Sequence, residues 1–306
     1  MKNDVLSLED FTKEKIRHLI DVAQDIMQGP SSYAWQLEGQ TLLSIFEKPS
    51  LRTRISFEIA MKQLGGHTIT IDSQATPMGK KESIEDTAKV AGRYVDIIMA
   101  RLYRQSDLAK LAKNSRIPVI NGLTDKYHPC QILSDLLTIK EKKGKLEGLK
   151  LAYFGDANNN VTHCLLLGCA LAGIDISVAC PQKHAPMPDV LKKAGKLAKK
   201  SEVKITSDPK NAARNADIIY TDSWMSYHIK EDEKEARIKE FMPFQVTSSL
   251  LAEAKKDAIF MNCLPAQRGM EQTAEVVDGP QSIVFDQAEN RLHMQKAILL
   301  YSKGLI

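Results

Sequence analysis

The stretch with the clearest chemical content is Phe46-Glu47-Lys48-Pro49-Ser50-Leu51-Arg52-Thr53-Arg54. It brings two hydroxyls and two arginines together behind an apolar run. Phe57, Ala60, Met61 and Leu64 then recur at helical spacing, so the motif opens a helix with one buried face. A helix N-terminus carries unpaired N–H groups and the positive end of a dipole. With Ser50 as a natural N-cap and Thr53 in the first turn, the arrangement makes a phosphate seat. The alternative is a capped helix with surface arginines. Arg101 ends a predicted strand, at the edge where open α/β sheets bind ligands. A surface ion pair is the alternative there. In His128-Pro129-Cys130-Gln131, Pro129 suits the first position of a helix, which sets His128 and Gln131 within one turn of each other. A purely structural histidine remains open, and Cys130 reads as packing.

A second group has a different chemistry. Gly155-Asp156-Ala157-Asn158-Asn159-Asn160 occupies a strand-to-helix turn, yet it lacks the GxGxxG pattern of dinucleotide sites. Its asparagine amides suit an amino-acid carboxylate or amine; alternatively Asn159 or Asn160 only caps the next helix. Asp222 in Thr221-Asp222-Ser223-Trp224-Met225-Ser226-Tyr227-His228 follows a strand and suits an ammonium group, against a plain turn packed by Trp224. Cys263 precedes Leu264-Pro265, where a cis bond would fix a tight turn. With no partner base in the sequence, Cys263 reads as a contact residue rather than a nucleophile. Arg291 is one more anion ligand. Lys192, Lys193, Lys196, Lys199 and Lys200 read as the solvated face of an amphipathic helix, and residues 230–239 as a charged helix or mobile loop.

Elements of alternating type position these groups. Strands are expected at 41–46, 67–71, 97–101, 119–121, 149–154, 176–180, 203–206, 218–221, 259–262 and 283–285, with helix-length amphipathic stretches between. That alternation implies α/β architecture with parallel sheets and crossover helices. At ~150 residues per domain, 306 residues make about two domains. The charged, glycine-bearing stretch 141–148 splits the chain near residue 140 into 1–140 and 141–287, with a closing helix in 288–306.

Composition narrows the function classes. Hydrophobic residues at 43% and charged residues at 26% are those of a globular protein, not a disordered one. A net charge of +4 is too small for a dedicated nucleic-acid binder but suits a small anion if focused in a cleft. Five scattered cysteines without CxxC form neither a disulfide framework nor a zinc site, and indicate a reducing compartment. No apolar signal core and no stretch near ~18 apolar residues is present, so a cytoplasmic protein without membrane association is expected.

Taken in order, Ser50-Leu51-Arg52-Thr53-Arg54, His128-Pro129-Cys130-Gln131, the Asp222–Ser226 loop, Cys263-Leu264-Pro265 and Asp286-Gln287-Ala288-Glu289-Asn290-Arg291-Leu292-His293 resemble the aspartate/ornithine carbamoyltransferases, and within them the ornithine enzymes. The resemblance covers nearly the whole chain. It implies two parallel-sheet α/β domains, with the C-terminal helix packing back on the first. Residues 1–140 would bind carbamoyl phosphate and 141–287 L-ornithine, in a homotrimer with sites at subunit interfaces. Ser50, Leu51, Arg52, Thr53, Arg101, His128, Gln131 and Arg291 would hold carbamoyl phosphate. Asn160, Asp222, Ser226, Tyr227, Cys263 and Leu264 would hold ornithine. Arg52, Arg101, His128 and Cys263 would act in the transfer, and no metal or organic cofactor is implied. The sequence departs from the family at Tyr227-His228, where Met-Gly is usual, at Asn262 for the usual His, and at Pro77 for a glutamine that many members have. The departures keep open another acceptor, putrescine or an N-acylated ornithine, and a catalytically silent paralogue.

Overall fold

The computed structural model describes residues 2–225 and 231–306. Its first elements are α1 (Lys13–Gln28), β1 (Thr41–Phe46), α2 (Arg52–Gln63), β2 (His67–Asp72), α3 (Ile84–Tyr94), β3 (Ile97–Arg101), α4 (Gln105–Asn114), β4 (Val119–Leu123) and α5 (Pro129–Lys143). They are followed by β5 (Lys150–Phe154), α6 (Asn160–Ala172), β6 (Asp175–Ala179), α7 (Pro188–Leu197), β7 (Val203–Thr206), α8 (Pro209–Ala213), β8 (Ile218–Thr221), α9 (Lys234–Phe241), α10 (Ser248–Leu251), β9 (Ile259–Met261), α11 (Ala274–Val277) and α12 (Val284–Ser302). Among the described residues the strands form two parallel sheets, ordered β2-β1-β3-β4 and β7-β6-β5-β8-β9. The chain divides into two compact units, Met1–Leu137 with Glu289–Ile306, and Thr138–Ala288. The expected architecture, two parallel-sheet α/β units with the C-terminal helix on the first, is the one observed.

Each unit follows from its apolar pattern. Strands β1, β3 and β4 are buried along nearly their whole length, as strands covered on both faces must be. Ile45, Ile98, Ala100, Leu108, Leu111 and Val119 form a core of the first unit. Phe154, Ile219, Phe244, Val246, Phe260 and Val277 do so in the second. Each large apolar side chain buried this way contributes about 1.5–3 kcal/mol. The face expected on α2 is present, with Phe57, Ala60, Met61 and Leu64 fully buried. Helix α6 is buried all round, from Val161 to Ala172, and ends on Gly173 at φ 74, a left-handed cap that glycine adopts without strain.

Both sheet orders contain a point where successive strands leave in opposite directions. In the first sheet it lies between β1 and β3, in the second between β5 and β8. Registers bring the strand ends level there: Phe46 opposite Arg101, and Phe154 opposite Thr221. Ligands of open α/β sheets bind outside the carboxyl ends at such switch points.

Several local expectations are corrected. Ser50 is not the N-cap of α2; Leu51 holds that position in αR conformation, with no side-chain cap. Residues 283–285 form no strand, because Val284 already begins α12, and the closing helix expected in 288–306 is its longer part, ending at Ser302. The apolar Ile283-Val284-Phe285 triplet misled, as Phe285 is 70% exposed. Lys199 and Lys200 lie beyond the end of α7 at Leu197, so the lysine face is shorter than its spacing implied.

Candidate active site

At the first switch point α2 begins directly after the turn that leaves β1. Thr53 is buried in its first turn, and Ser50, Leu51 and Arg52 precede it. Because Ser50 does not cap the helix, its hydroxyl is not spent there. Arg54 instead stacks on the Phe46 ring, 4.5 Å from its centroid. Arg101 ends β3 at a register shift after Ala100 and is 7% exposed. Its carbonyl accepts the Glu47 N–H at 2.9 Å, which fixes the β1 exit against the β3 exit. Pro129 is the first residue of α5, as expected, and leaves His128 just before the helix and Gln131 within it.

Arg291, buried on α12, joins these pieces. Its Nη1 donates to Gln131 Oε1 at 2.5 Å and its Nη2 to Thr53 Oγ1 at 3.3 Å. The Gln131 amide is oriented from its other end, where Nε2 donates to Asp135 Oδ1 at 2.8 Å. His128 is also buried. Burial, then the positive charges of Arg291 and Arg101, hold its imidazole well below the usual histidine range. It is therefore neutral at pH 7 and offers one N–H donor. Thr53, Arg101, His128, Gln131 and Arg291 thus form one buried cluster, rich in cations and hydrogen-bond donors, with Ser50, Leu51 and Arg52 on its rim. The chemistry of such a set suits a phosphorylated anion, whose growing charge these donors can stabilise. Lys48 belongs to the same surroundings although the sequence reading assigned it nothing. It is buried beside Arg101, and its Nζ lies 4.7 Å from the Tyr103 ring centroid. Burial and then the Arg101 charge lower its pKa. Cys130 is packing: burial pushes its thiol up to about 12.

At the second switch point the turn after β5 carries Asn160 and the exit of β8 carries Asp222. Asn159, not Asn160, caps α6, accepting the Thr162 N–H at 2.8 Å, so the Asn160 side chain is not used as the cap. Gly155 adopts φ 115, and a Cβ there would stand 2.7 Å from Trp224 Nε1. Only glycine lets the turn pass this close to the indole. Cys263 Sγ donates to Asp222 Oδ1 at 3.1 Å. Leu264 has φ 57 and leads into a cis bond to Pro265, and its N–H donates to Asn262 Oδ1 at 2.8 Å. Asn262 is fully buried, and its Nδ2 donates to Gln272 Oε1 at 3.0 Å. Asp222, Cys263 and Leu264 are therefore held together. Ser226, Tyr227 and His228 lie outside the described residues.

Three residues of this second cluster received no role of their own in the sequence reading. Glu271 is buried, and its carboxylate accepts the Trp224 N–H at 3.2 Å and the Gln267 N–H at 3.1 Å. Burial raises its pKa, with the Asp222 charge adding to that. Asp156 pairs with Arg237 of α9. An arginine one turn before Phe241 on a helix is the sequence signal that was available, since such a residue shares the aromatic's face. Among the described residues no group of three or more His, Cys, Asp or Glu side chains converges as a metal site, and no helix is long and apolar enough to cross a membrane.

Comparison with known proteins finds relatives of both halves. Residues 3–141 match the family model described as aspartate/ornithine carbamoyltransferase, carbamoyl-P binding domain, and residues 147–302 its Asp/Orn binding domain counterpart. The chain is 51% identical over 300 residues to an ornithine carbamoyltransferase of Oceanobacillus iheyensis, covering 97% of this chain and 92% of that protein. It is 48% identical over 305 residues to that of Methanosarcina mazei, covering 98% and 99%. The solved ornithine carbamoyltransferase of Pyrococcus furiosus superposes with a TM-score of 0.96 at 46% identity, covering 100% of this chain and 98% of that one. Two family models that together span nearly the whole chain, and identity running its length, have one meaning: the chain belongs to the aspartate/ornithine carbamoyltransferase family.

Proposed function

We propose that the protein transfers the carbamoyl group of carbamoyl phosphate to the δ-amine of L-ornithine, giving L-citrulline and phosphate. The observation that carries this reading is the junction made by Arg291, which gathers Thr53 and Gln131 beside Arg101 and a neutral His128. Ser50, Leu51, Arg52 and Thr53 at the start of α2 hold the phosphoryl oxygens, together with Arg101 and Arg291. His128 and Gln131 address the carbamoyl group. A neutral imidazole N–H aimed at the carbamoyl oxygen polarises the carbonyl without adding a proton to it. The α-ammonium of ornithine pairs with Asp222, its carboxylate meets Asn160 and the Ser226–Tyr227 segment, and its δ-amine lies by Cys263 and the Leu264 backbone.

The neutral δ-amine attacks the carbamoyl carbon and forms a C–N bond. In the tetrahedral intermediate a proton passes from nitrogen to a phosphoryl oxygen as the C–O bond to phosphate breaks, and phosphate leaves as its monoprotonated dianion. Arg52, Arg101 and Arg291 neutralise the departing phosphate. At the lysine reference pKa of ~10.4 only about 1 in 10³ free amines is neutral at pH 7, so the site must select that form. No step calls for a metal or organic cofactor. Residues 1–140 with the C-terminal helix form the carbamoyl-phosphate half and 141–287 the ornithine half, a division that the two family descriptions support. On the same reading the enzyme is a cytoplasmic homotrimer with sites at subunit interfaces, a state that sedimentation of the purified protein tests.

The deciding experiment is carbamoyl transfer with ornithine, putrescine, N-acetylornithine and aspartate offered in parallel. Strong preference for ornithine is expected. Preference for another acceptor would keep the phosphate half and move specificity to Tyr227 and His228. No turnover with any of them would favour a silent paralogue.

A further inference from the structure

Residues 230–239 read as a solvated charged run, yet Arg237 within it is only 12% exposed, and its partner Asp156 6%. The guanidinium pairs with the Asp156 carboxylate through Nη2. Its Nε donates to the Trp224 carbonyl at 2.5 Å. Its Cζ lies over the Phe241 ring, 4.8 Å from the centroid, and Phe241 in turn stacks on Trp224 at 5.7 Å. Asp156 belongs to the turn after β5 that delivers Asn160, and Trp224 to the segment after β8 that delivers Asp222. One side chain therefore ties together the exits of the two strands that flank the switch point.

Both tied segments are held internally as well. Asp156 Oδ1 accepts the Asn158 N–H at 3.0 Å, and the Asp156 carbonyl accepts from Tyr153 Oη at 2.7 Å and from Asn159 Nδ2 at 2.6 Å. The Trp224 N–H is taken by Glu271. The charges are also close: Asp156 and Asp222 both act on the Tyr153 hydroxyl, and Asp222 acts on Glu271. Three carboxylates therefore gather here, with Arg237 set against one of them.

We propose that Arg237 is a positioning residue that determines acceptor specificity. By neutralising Asp156 and fixing its turn against the Asp222 segment, it tunes the acceptor site to a zwitterionic α-amino-acid head rather than to a plain diamine. The inference rests on the ornithine reading and deepens it. Without the guanidinium, Asp156 adds a bare negative charge beside Asp222. That charge repels the acceptor's α-carboxylate and attracts a second ammonium group, so the site drifts toward diamines. Arg237 does this without touching substrate, through the charge and place of Asp156.

The test uses the full-length enzyme and the variants Arg237→Gln, Arg237→Lys and Asp156→Asn/Arg237→Gln. KM and kcat are measured for ornithine and putrescine, with KM for carbamoyl phosphate and a thermal melt alongside. R237Q is expected to raise the ornithine KM tenfold or more and to cut the ornithine-to-putrescine ratio of kcat/KM by a similar factor. The carbamoyl phosphate KM stays within twofold. The double variant, with a neutral amide pair, recovers most of that ratio, and R237K falls between R237Q and wild type because it keeps the charge but not the fork. A merely structural anchor predicts the reverse: the double variant is no better than R237Q, and both substrates lose affinity together. Either result overturns the proposal, as does an unchanged ratio in folded R237Q. If R237Q does not fold, the double variant and R237K decide. A ratio near wild type in the first and intermediate in the second supports the proposal, and a collapse in both overturns it. Wild-type enzyme that turns over no ornithine would overturn the transferase reading itself, and is seen in the wild-type arm alone.

Discussion

Arg291→Met removes a buried cation while keeping an unbranched side chain, and its consequences are calculable. Arg291 donates to Gln131 Oε1 and Thr53 Oγ1 and is 3% exposed. Truncating one partner of a desolvated charge pair costs about 2–5 kcal/mol of binding. At ~1.4 kcal/mol per decade, kcat/KM for carbamoyl phosphate falls by roughly 30-fold to several thousandfold. Gln131 Oε1 loses its charged donor, at about 1–3 kcal/mol of stability, while Nε2 stays fixed on Asp135. The same change acts on His128. Burial is the first cause of its lowered pKa and Arg291 the second. Removing that positive charge makes protonation easier, so the His128 pKa rises but stays below the usual value, because burial and Arg101 remain. Arg291→Lys separates charge from geometry: His128 stays low, while a single ammonium cannot reproduce the two-point fork between Gln131 and Thr53. The assay pairs initial rates at varied carbamoyl phosphate with an NMR titration of the His128 ring. A folded R291M enzyme with kcat/KM within fivefold of wild type, or with His128 titrating where it does in wild type, would refute the reasoning.

Gly155→Ala should destabilise the ornithine half by about 2–5 kcal/mol, combining overpacking against Trp224 with backbone strain at φ 115, and a scanning melt reads it. An unchanged melting temperature would show that the indole shifts freely. The depressed pKa of His128 sets a sign for acid stability. Below the unfolded value near ~6.5 the unfolded chain takes up a proton that folded His128 refuses, so stability falls with pH by up to ~1.4 kcal/mol per unit. Denaturant titrations at stepped pH should show that slope, and His128→Gln should remove its share. Asp222→Ala should raise the ornithine KM at least tenfold and leave that for carbamoyl phosphate within twofold. Unaltered ornithine kinetics would remove Asp222 from the acceptor site.

Much of the scaffold is legible in the sequence because short strands set between helical patterns announce themselves. The runs 41–46, 97–101, 203–206 and 218–221 have the observed bounds, each a short apolar or β-branched segment between helical patterns. Residues 283–285 have the same local look but start a helix, since a triplet is too short for its period to distinguish the two. Ser50 looked like a cap because serine caps helices; the turn after β1 puts Leu51 there instead and keeps the Ser50 hydroxyl off the helix end. The candidate residues of the first cluster are visible because arginines and hydroxyls at strand ends are unusual in type. That Arg291 bridges Thr53 and Gln131 is not visible, because the contacts span 238 and 160 positions. Arg237 and Glu271 were missed for the opposite reason: each sits in a charged or polar run where solvation is the ordinary fate of such residues.

The two clusters have opposite electrostatics, and each matches its proposed substrate. The first packs Arg101, Arg291 and Lys48 into a poorly solvated space: burial first, and then Arg101, lower the pKa of Lys48, and burial, then Arg291 and Arg101, lower that of His128. Holding like charges together in the empty protein is unfavourable, and a phosphate dianion relieves it, so part of the binding free energy is the removal of that repulsion. Burial and the same field keep His128 uncharged, which suits the role proposed for it at the carbamoyl oxygen. The second cluster gathers Asp156, Asp222 and Glu271, and burial with neighbouring carboxylate charge already pushes Glu271 up. An ammonium group relieves that strain as the dianion relieves the other. A site built from carboxylates alone would accept any cation of the right length. A zwitterion requires one carboxylate to be cancelled by a fixed cation and another to meet the ammonium group, the roles proposed for Asp156 with Arg237 and for Asp222.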